Sequence, residues 1–260
     1  MQPPGTDFAR ALPQFAADVL SRVRRRSPRV HCITNTVAQE LTANVLLAAN
    51  ALPSMTIAAA EIAAFADRAD SLLVNLGTLD EERRAAVGIA LDRADEKRMP
   101  WVLDPVLIDV SAPRAAFART LLDLGPAAIR LNAREFAALA ETAPDTAALA
   151  RFASERHCAI GLTGETDDVA DATRRVRIAN GHALMARITA MGCAASALVA
   201  ACLAVEKDAF LASASALLIF GVAGEIAGEE AQGPGSFAAA FLDALYELDA
   251  GEIADRAEVE

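Results

Sequence analysis

Two rhythms of apolar and polar positions divide this chain. Residues 7 to 25, DFARALPQFAADVLSRVRR, carry apolar residues at roughly helical spacing, which predicts an outer helix capped by Asp7 and interrupted or delayed at Pro13. Arg22, Arg24, Arg25 and Arg26 read as its solvated end, favourable to the helix dipole. From residue 30 onward, short apolar runs alternate with longer helical stretches. VHCI (30–33), PSMTI (53–57), SLLVNL (71–76), WVLD (101–104), AAIRL (127–131) and CAIGLT (158–163) predict strands. Helical patterns lie at 36–50 and 79–98, and two more, divided at Pro144, follow the fifth strand. Near-continuous apolar strands alternating with helices mark a parallel sheet covered on both faces. The predicted class is α/β, a three-layer sandwich with a mostly parallel central sheet and helices on both faces.

After residue 163 the order changes. ETDDVADATRRVRIANGH predicts an antiparallel hairpin or edge pair, and helical stretches at 193–205, 208–230 and 236–249 follow. The acidic end, ELDAGEIADRAEVE, reads as a partly solvated tail. No Pro/Ser linker or internal repeat interrupts the pattern, so residues 1–260 are expected to form a single domain.

The stretch RITAMGCAASALVAACLAV, residues 187–205, predicts a tight loop feeding directly into a buried helix. Such a junction converges backbone N–H groups and the positive end of a helix dipole on one spot, an arrangement that suits a phosphate. Cys193 stands where that helix begins, and the same field would ease ionisation of its thiol. Taken locally, Gly-Cys at the start of a small-residue helix reads more readily as inert packing.

Composition narrows the partners. A formal net charge of -11 argues against nucleic acid and anionic membranes, which need a basic patch. The longest apolar run, Ala194 to Val205, is too short to span a bilayer, and no signal peptide is visible. The expected setting is the cytoplasm. The four cysteines, Cys32, Cys158, Cys193 and Cys202, form no CxxC pair, which suits a reducing compartment. His31-Cys32 and His157-Cys158 fall in predicted strands, where adjacent side chains point to opposite faces, so each pair offers at most one metal ligand.

In open parallel sheets, ligands sit beyond the carboxyl ends of the strands. The residues there are Thr34-Asn35, Thr56, Asn75 with Gly77-Thr78, Asp104-Pro105, Asn132 with Glu135, and Thr163-Gly164. Asp104 and Glu135 suit Mg²⁺, which takes one or two carboxylates beside waters and substrate phosphates. Each of these residues also reads as a helix cap or turn. Neither GxxxxGK[ST] nor GxGxxG is present, so neither a P-loop nor a Rossmann dinucleotide site is supported.

The motifs taken in order resemble the hydroxyethylthiazole kinase family of the ribokinase-like superfamily. The matching stretches are HCITNTVAQELTANVLLAANALPSM (31–55), LLVNLGTL (72–79), VLDPV (102–106), IRLNAREF (129–136), LTGETDDV (162–169), NGHALMARITAMGC (180–193) and GPGSFAAAFLDALY (233–246). The resemblance implies ATP- and Mg²⁺-dependent phosphorylation of the alcohol of 4-methyl-5-(2-hydroxyethyl)thiazole, a step towards thiamine, by a homotrimer with thiazole sites between subunits. It also implies that Asn35 and Met55 contact the thiazole, and that Arg130 and Thr163 contact ATP. Asp104 and Glu135 would hold Mg²⁺ directly or through water. Gly192 would approach the substrate and transferred phosphate, and Cys193 would act as the general base.

The chain departs from the family pattern at Ala190 and Met191, where the loop before Gly192-Cys193 usually has glycine and a small residue, and at Leu131, where glycine is usual. VLDPVLIDVS also lacks the glycines that commonly follow this motif. A Cβ at position 190 falls where the backbone is expected to take unusual angles or approach phosphate. These departures motivate an alternative, a degenerate member that binds thiazole or nucleotide with little or no turnover. A ribokinase-like ATP-dependent dehydratase is a third reading, with less support from HCITN and the loop cysteine.

Overall fold

The computed structural model describes residues 4–260. In chain order the elements are α1 (Pro4–Arg26), β1 (Arg29–Ile33), α2 (Gln39–Ala48), β2 (Leu52–Ser54), α3 (Ile62–Ala66), β3 (Ser71–Asn75), α4 (Glu81–Lys97), β4 (Trp101–Asp104), α5 (Ala112–Leu122) and β5 (Ala128–Asn132). There follow α6 (Ala133–Ala140), α7 (Thr146–Arg156), β6 (Ala159–Thr163), β7 (Asp167–Ala170), β8 (Arg175–Ile178), a 3₁₀ helix (Ala183–Arg187), α8 (Met191–Leu203), α9 (Ala209–Glu230), α10 (Pro234–Glu247) and α11 (Ala250–Arg256).

All eight strands form one sheet in the order β2-β1-β3-β4-β5-β6-β7-β8. The pairs from β2 to β6 are parallel, whereas β6–β7 and β7–β8 are antiparallel. The expected hairpin after residue 163 is therefore present at the sheet edge. Side chains alternate between two cores, as the period of a strand requires. Cys32, Leu73 and Val102 join a core with α1, α2, α8, α9, α10 and α11, while Ile33, Leu72, Val74 and Leu103 join another with α3 to α7. Two apolar faces on each strand account for the continuous apolar runs in the sequence.

Several expectations are corrected. The first helix begins before Asp7, whose side chain lies outside the described residues, and it continues through Pro13. The second helix is shorter than 36–50 because Thr36 to Ala38 form a turn. His157 is not in a strand but closes α7 in a left-handed conformation, with Cys158 before β6. The acidic end is folded: Ile253 of α11 is buried and Val259 bridges to Ile178. Helices α3 and α5 were not among the predicted elements.

The arginine cluster is not simply solvated. Arg22 donates to Val205 O at 2.6 Å and Arg26 to Ala204 O at 3.2 Å, so both reach carbonyls just past the end of α8. Arg24 donates to Leu245, Tyr246 and Leu248 carbonyls at the end of α10. Helix C-termini leave carbonyls unpaired and carry partial negative charge, so a guanidinium satisfies both needs. The long apolar helix is α9, not residues 194–205: its composition would permit a membrane crossing, yet 78% of its apolar window is buried inside the protein. It packs against α1, α8 and α10 as a core helix.

Candidate active site

The carboxyl ends of β1, β3 and β4 lie side by side, with Ile33 opposite Val74 and Asn75 opposite Asp104. Polar residues at or just beyond these ends meet the first turn of α8. The Asn35 amide donates to Asn75 Oδ1 at 3.1 Å and lies 3.4 Å from Cys193 Sγ, while its own oxygen accepts the Val37 and Ala38 backbone N–H groups. Asn75 donates in turn to Asp104 Oδ2 at 2.7 Å, and Ser196 Oγ reaches the same oxygen at 2.9 Å. These bonds fix both asparagine amides, since each is held through its oxygen and its nitrogen.

Asp104 is completely buried, and its other oxygen, Oδ1, has no hydrogen-bond partner. Burial pushes its carboxyl up to about 7, against the lowering effect of Arg130; Glu135 raises it further, while Ser196 and Asn75 oppose the rise. A buried carboxylate with a bare oxygen is costly unless something pairs with it.

Cys193 lies in the first turn of α8, as expected, but it does not ionise easily. Its thiol is pushed up to about 11, chiefly by burial and then by the charge of Asp104, despite the opposing effects of Asn75, Asn35 and Arg130. The helix terminus supplies a favourable field, but desolvation and a neighbouring carboxylate outweigh it. At neutral pH Cys193 is therefore a thiol.

Ala190, the residue before α8, has φ 68° and ψ 5°, the left-handed region expected from its place in the loop. For alanine that conformation costs roughly 1–2 kcal/mol relative to its right-handed counterpart. The neighbouring Met191 is buried against the core on the α8 side of the sheet and also borders the cavity that Gly192 lines. Gly192 admits the Arg130 guanidinium: a Cβ at this position would collide with both Nη atoms and Cζ. Among the described residues, Arg130 makes no ion pair, and its buried Nε has no hydrogen-bond partner. An unpaired guanidinium beside the positive end of a helix forms an anion site.

Arg130, Thr163 and Gly192 line a cavity of about 730 Å³ bounded also by Asp167, His182 and Phe220. Thr163 ends β6, and its hydroxyl lies 3.4 Å from Leu131 O. Burial pushes Asp167 up to about 6, opposed by the Gly164 N–H and by Arg130. Asn35, Asp104, Glu135, Cys193 and Met55 lie outside this lining. Met55, one residue beyond β2, is half-buried and packs against the α8-side core. Glu135 completes a capping box at the start of α6. One of its carboxylate oxygens accepts Leu107 N–H and the other Asn132 N–H, both at 2.9 Å. Leu131 is fully buried in β5.

Sequence reasoning missed Ser196, Asp167 and His182. Ser196 stands four residues after Gly192, a spacing that places both on one helix face. Asp167 accepts the Gly164 N–H at 3.0 Å, a turn legible in the pattern Gly-x-x-Asp.

The eight-stranded, mostly parallel sheet with helices on both faces is the fold of ribokinase-like proteins. A ribokinase-like superfamily protein of Enterococcus faecalis matches with a TM-score of 0.68 at 13% identity, covering 92% of this chain and 95% of its own, a likeness of fold alone. More particularly, the chain belongs to the hydroxyethylthiazole kinase family, whose model matches residues 20–251. It is 43% identical over 245 residues to a probable hydroxyethylthiazole kinase of Agrobacterium fabrum, covering 94% of each chain. The solved hydroxyethylthiazole kinase of Pyrococcus horikoshii is similar at 36% identity, with a TM-score of 0.91 over 95% of this chain and 98% of that one.

Proposed function

We propose that the chain transfers the γ-phosphoryl group of ATP to the hydroxyl of 4-methyl-5-(2-hydroxyethyl)thiazole. The observation that carries this reading is the unpaired Arg130 guanidinium against Gly192, at the start of α8. Its charge and the helix N–H groups are placed to receive the phosphates, with Thr163 beside them. Asn35 and Cys193 approach the alcohol from the other side of the α8 turn. Asn35 orients the thiol through its amide, and the thiol positions the hydroxyl while a loose transfer leaves it little need of early deprotonation. The protonated thiol holds the hydroxyl in place and does not take its proton, which passes to an oxygen of the transferred phosphoryl group or to water as the new bond forms.

The residues fit Mg²⁺. Asp104 Oδ1 is buried and bare, which suits a direct ligand, and Glu135 would act through water because backbone N–H groups engage both of its oxygens. When bound, Mg²⁺ neutralises the triphosphate and aligns its phosphates. Met55 would contact the thiazole from a neighbouring subunit in a homotrimer, and a single domain of residues 1–260 would work in the cytoplasm.

Two features weigh against the degenerate alternative. Ala190 adopts the required left-handed angles, and Met191 turns into the core. ADP release from ATP and Mg²⁺, measured with and without the thiazole alcohol, tests the proposal. Thiazole-dependent turnover supports it, whereas calorimetric binding without turnover favours the degenerate binder.

A further inference from the structure

We infer that His182 is a nucleotide-binding residue that donates a hydrogen bond from Nε2 to the nucleoside end of the phosphoryl donor. This rests on the kinase reading above and assigns a residue at the far end of the same cavity. His182 is exposed, lines the cavity and initiates the 3₁₀ helix. Its Nδ1 accepts the Leu184 backbone N–H at 3.2 Å. Because an N–H donates to it, Nδ1 carries no proton, and the neutral ring must carry its proton on Nε2. One face of the ring stacks on Phe237, with centroids 5.9 Å apart. The ring also presses on Gly228 of α9, where any Cβ would collide with it.

The wall that carries His182 is keyed to α9 at two further points. Gly221 lies under Asn180, where a Cβ would come 2.7 Å from the Asn180 carbonyl oxygen, and Gly224 lies under Met185. An exposed imidazole is ordinarily free to turn, but here packing, stacking and a backbone bond fix both its plane and its tautomer. The remaining directional group is the Nε2 donor.

The ends of the cavity distinguish the nucleoside from the phosphates. Leu217 of α9 lines the cavity and borders Gly161, whose missing Cβ would lie 3.3 Å from Leu217 Cδ1 and 4.0 Å from Arg130 Cγ. Gly228, under His182, is eleven residues further along α9, or ~16 Å at the helical rise. The guanidinium and the α8 terminus define the anionic end, and His182 packs on α9 well along the helix from Leu217, away from that end. An N–H donor there suits a base nitrogen or ribose oxygen.

Calorimetry with Mg²⁺-ADP and with inorganic tripolyphosphate, on wild type, His182→Ala and His182→Gln, tests this. His182→Ala should bind ADP ~3–10-fold more weakly, the worth of one hydrogen bond. Tripolyphosphate binding should change by less than about twofold, and His182→Gln, which keeps an N–H donor, should recover part of the ADP affinity. Unchanged ADP affinity in both variants, or an equal loss for tripolyphosphate, overturns the inference. Wild type that binds neither probe overturns the kinase reading together with it. Melting curves of both variants verify that the wall remains folded; a normally folded His182→Ala with weakened ADP binding alone sustains the assignment.

Discussion

The end of β4 and the first turn of α6, just after β5, each carry a carboxylate, and the two are treated oppositely. Asp104 is buried with one oxygen bare and its carboxyl pushed up to about 7. Glu135 is also buried, yet each of its oxygens accepts a backbone N–H, one from its own helix cap and one from the loop after β4. Glu135 resembles a finished structural joint, whereas Asp104 is maintained at a cost. Buried polar groups without partners are uncommon in proteins, so the bare oxygen of Asp104 is the feature on which the proposed Mg²⁺ role rests.

Asp104→Asn should break the comparison most severely, lowering kcat on the order of 10²–10³-fold, as for loss of an electrostatic group at a transferring centre. Stability should move the other way. The Asp104 carboxyl rises from 3.8 to about 7 on folding, so the native state holds a proton that the unfolded state loses between those values. Stability contributed by this group therefore falls as pH rises from 3.8 to about 7 and is level above. Asp104→Asn removes that slope, and should melt above wild type at pH 8 with a smaller difference at pH 5. A variant that is inactive and also less stable at pH 8 would show that the bare oxygen is structural.

Cys193→Ala should lower kcat by no more than about 10²-fold, the lower end for acid–base catalysis, because a thiol already protonated at neutral pH positions the hydroxyl and does not take its proton. Steady-state assays should find KM for the thiazole changed much less. Cys202→Ala, fully buried on the same helix, should lower the melting temperature with turnover retained. Equal turnover in wild type and Cys193→Ala returns Cys193 to packing.

Glu135→Gln sharpens the other side of the comparison. The amide oxygen can serve only one of the two backbone donors well, so urea unfolding should reveal a loss of about 1–3 kcal/mol. A Mg²⁺ titration of activity should shift several-fold towards higher metal, as expected for an outer ligand. An unchanged titration would leave Glu135 solely as a joint. The smallest effect belongs to Ala190→Gly, which relieves the left-handed alanine but loosens the unfolded chain. A net gain of ~0.5 kcal/mol in denaturant unfolding is expected.

Much of the sheet was legible because its strands are apolar on both faces, and WVLD (101–104) coincides with β4. The shorter helices were harder to read. α5 carries Ser111 and Pro113 at its start, a signal available in the sequence, but its pattern gives no strong stripe. For the site, strand-end position sufficed to bring Asn35, Asn75 and Asp104 together, since parallel register aligns them. The ionisation of Cys193 was not legible. Its helix position favours the thiolate, while the burial and the Asp104 charge that reverse this come from residues distant in sequence. The arginines of α1 failed for the same reason, because their carbonyl partners lie some 180 to 220 positions away.

That last separation sets a timetable for synthesis. α1 leaves the ribosome well ahead of its partners, because the carbonyls that Arg22, Arg24 and Arg26 engage belong to residues 204–248. At a translation rate of roughly 5–20 residues per second, α1 waits on the order of ten to forty seconds for its partners. Throughout that interval its apolar stripe lacks the cover that α9 and α11 later give it, so the newborn chain is more exposed to chaperones and to aggregation until they arrive.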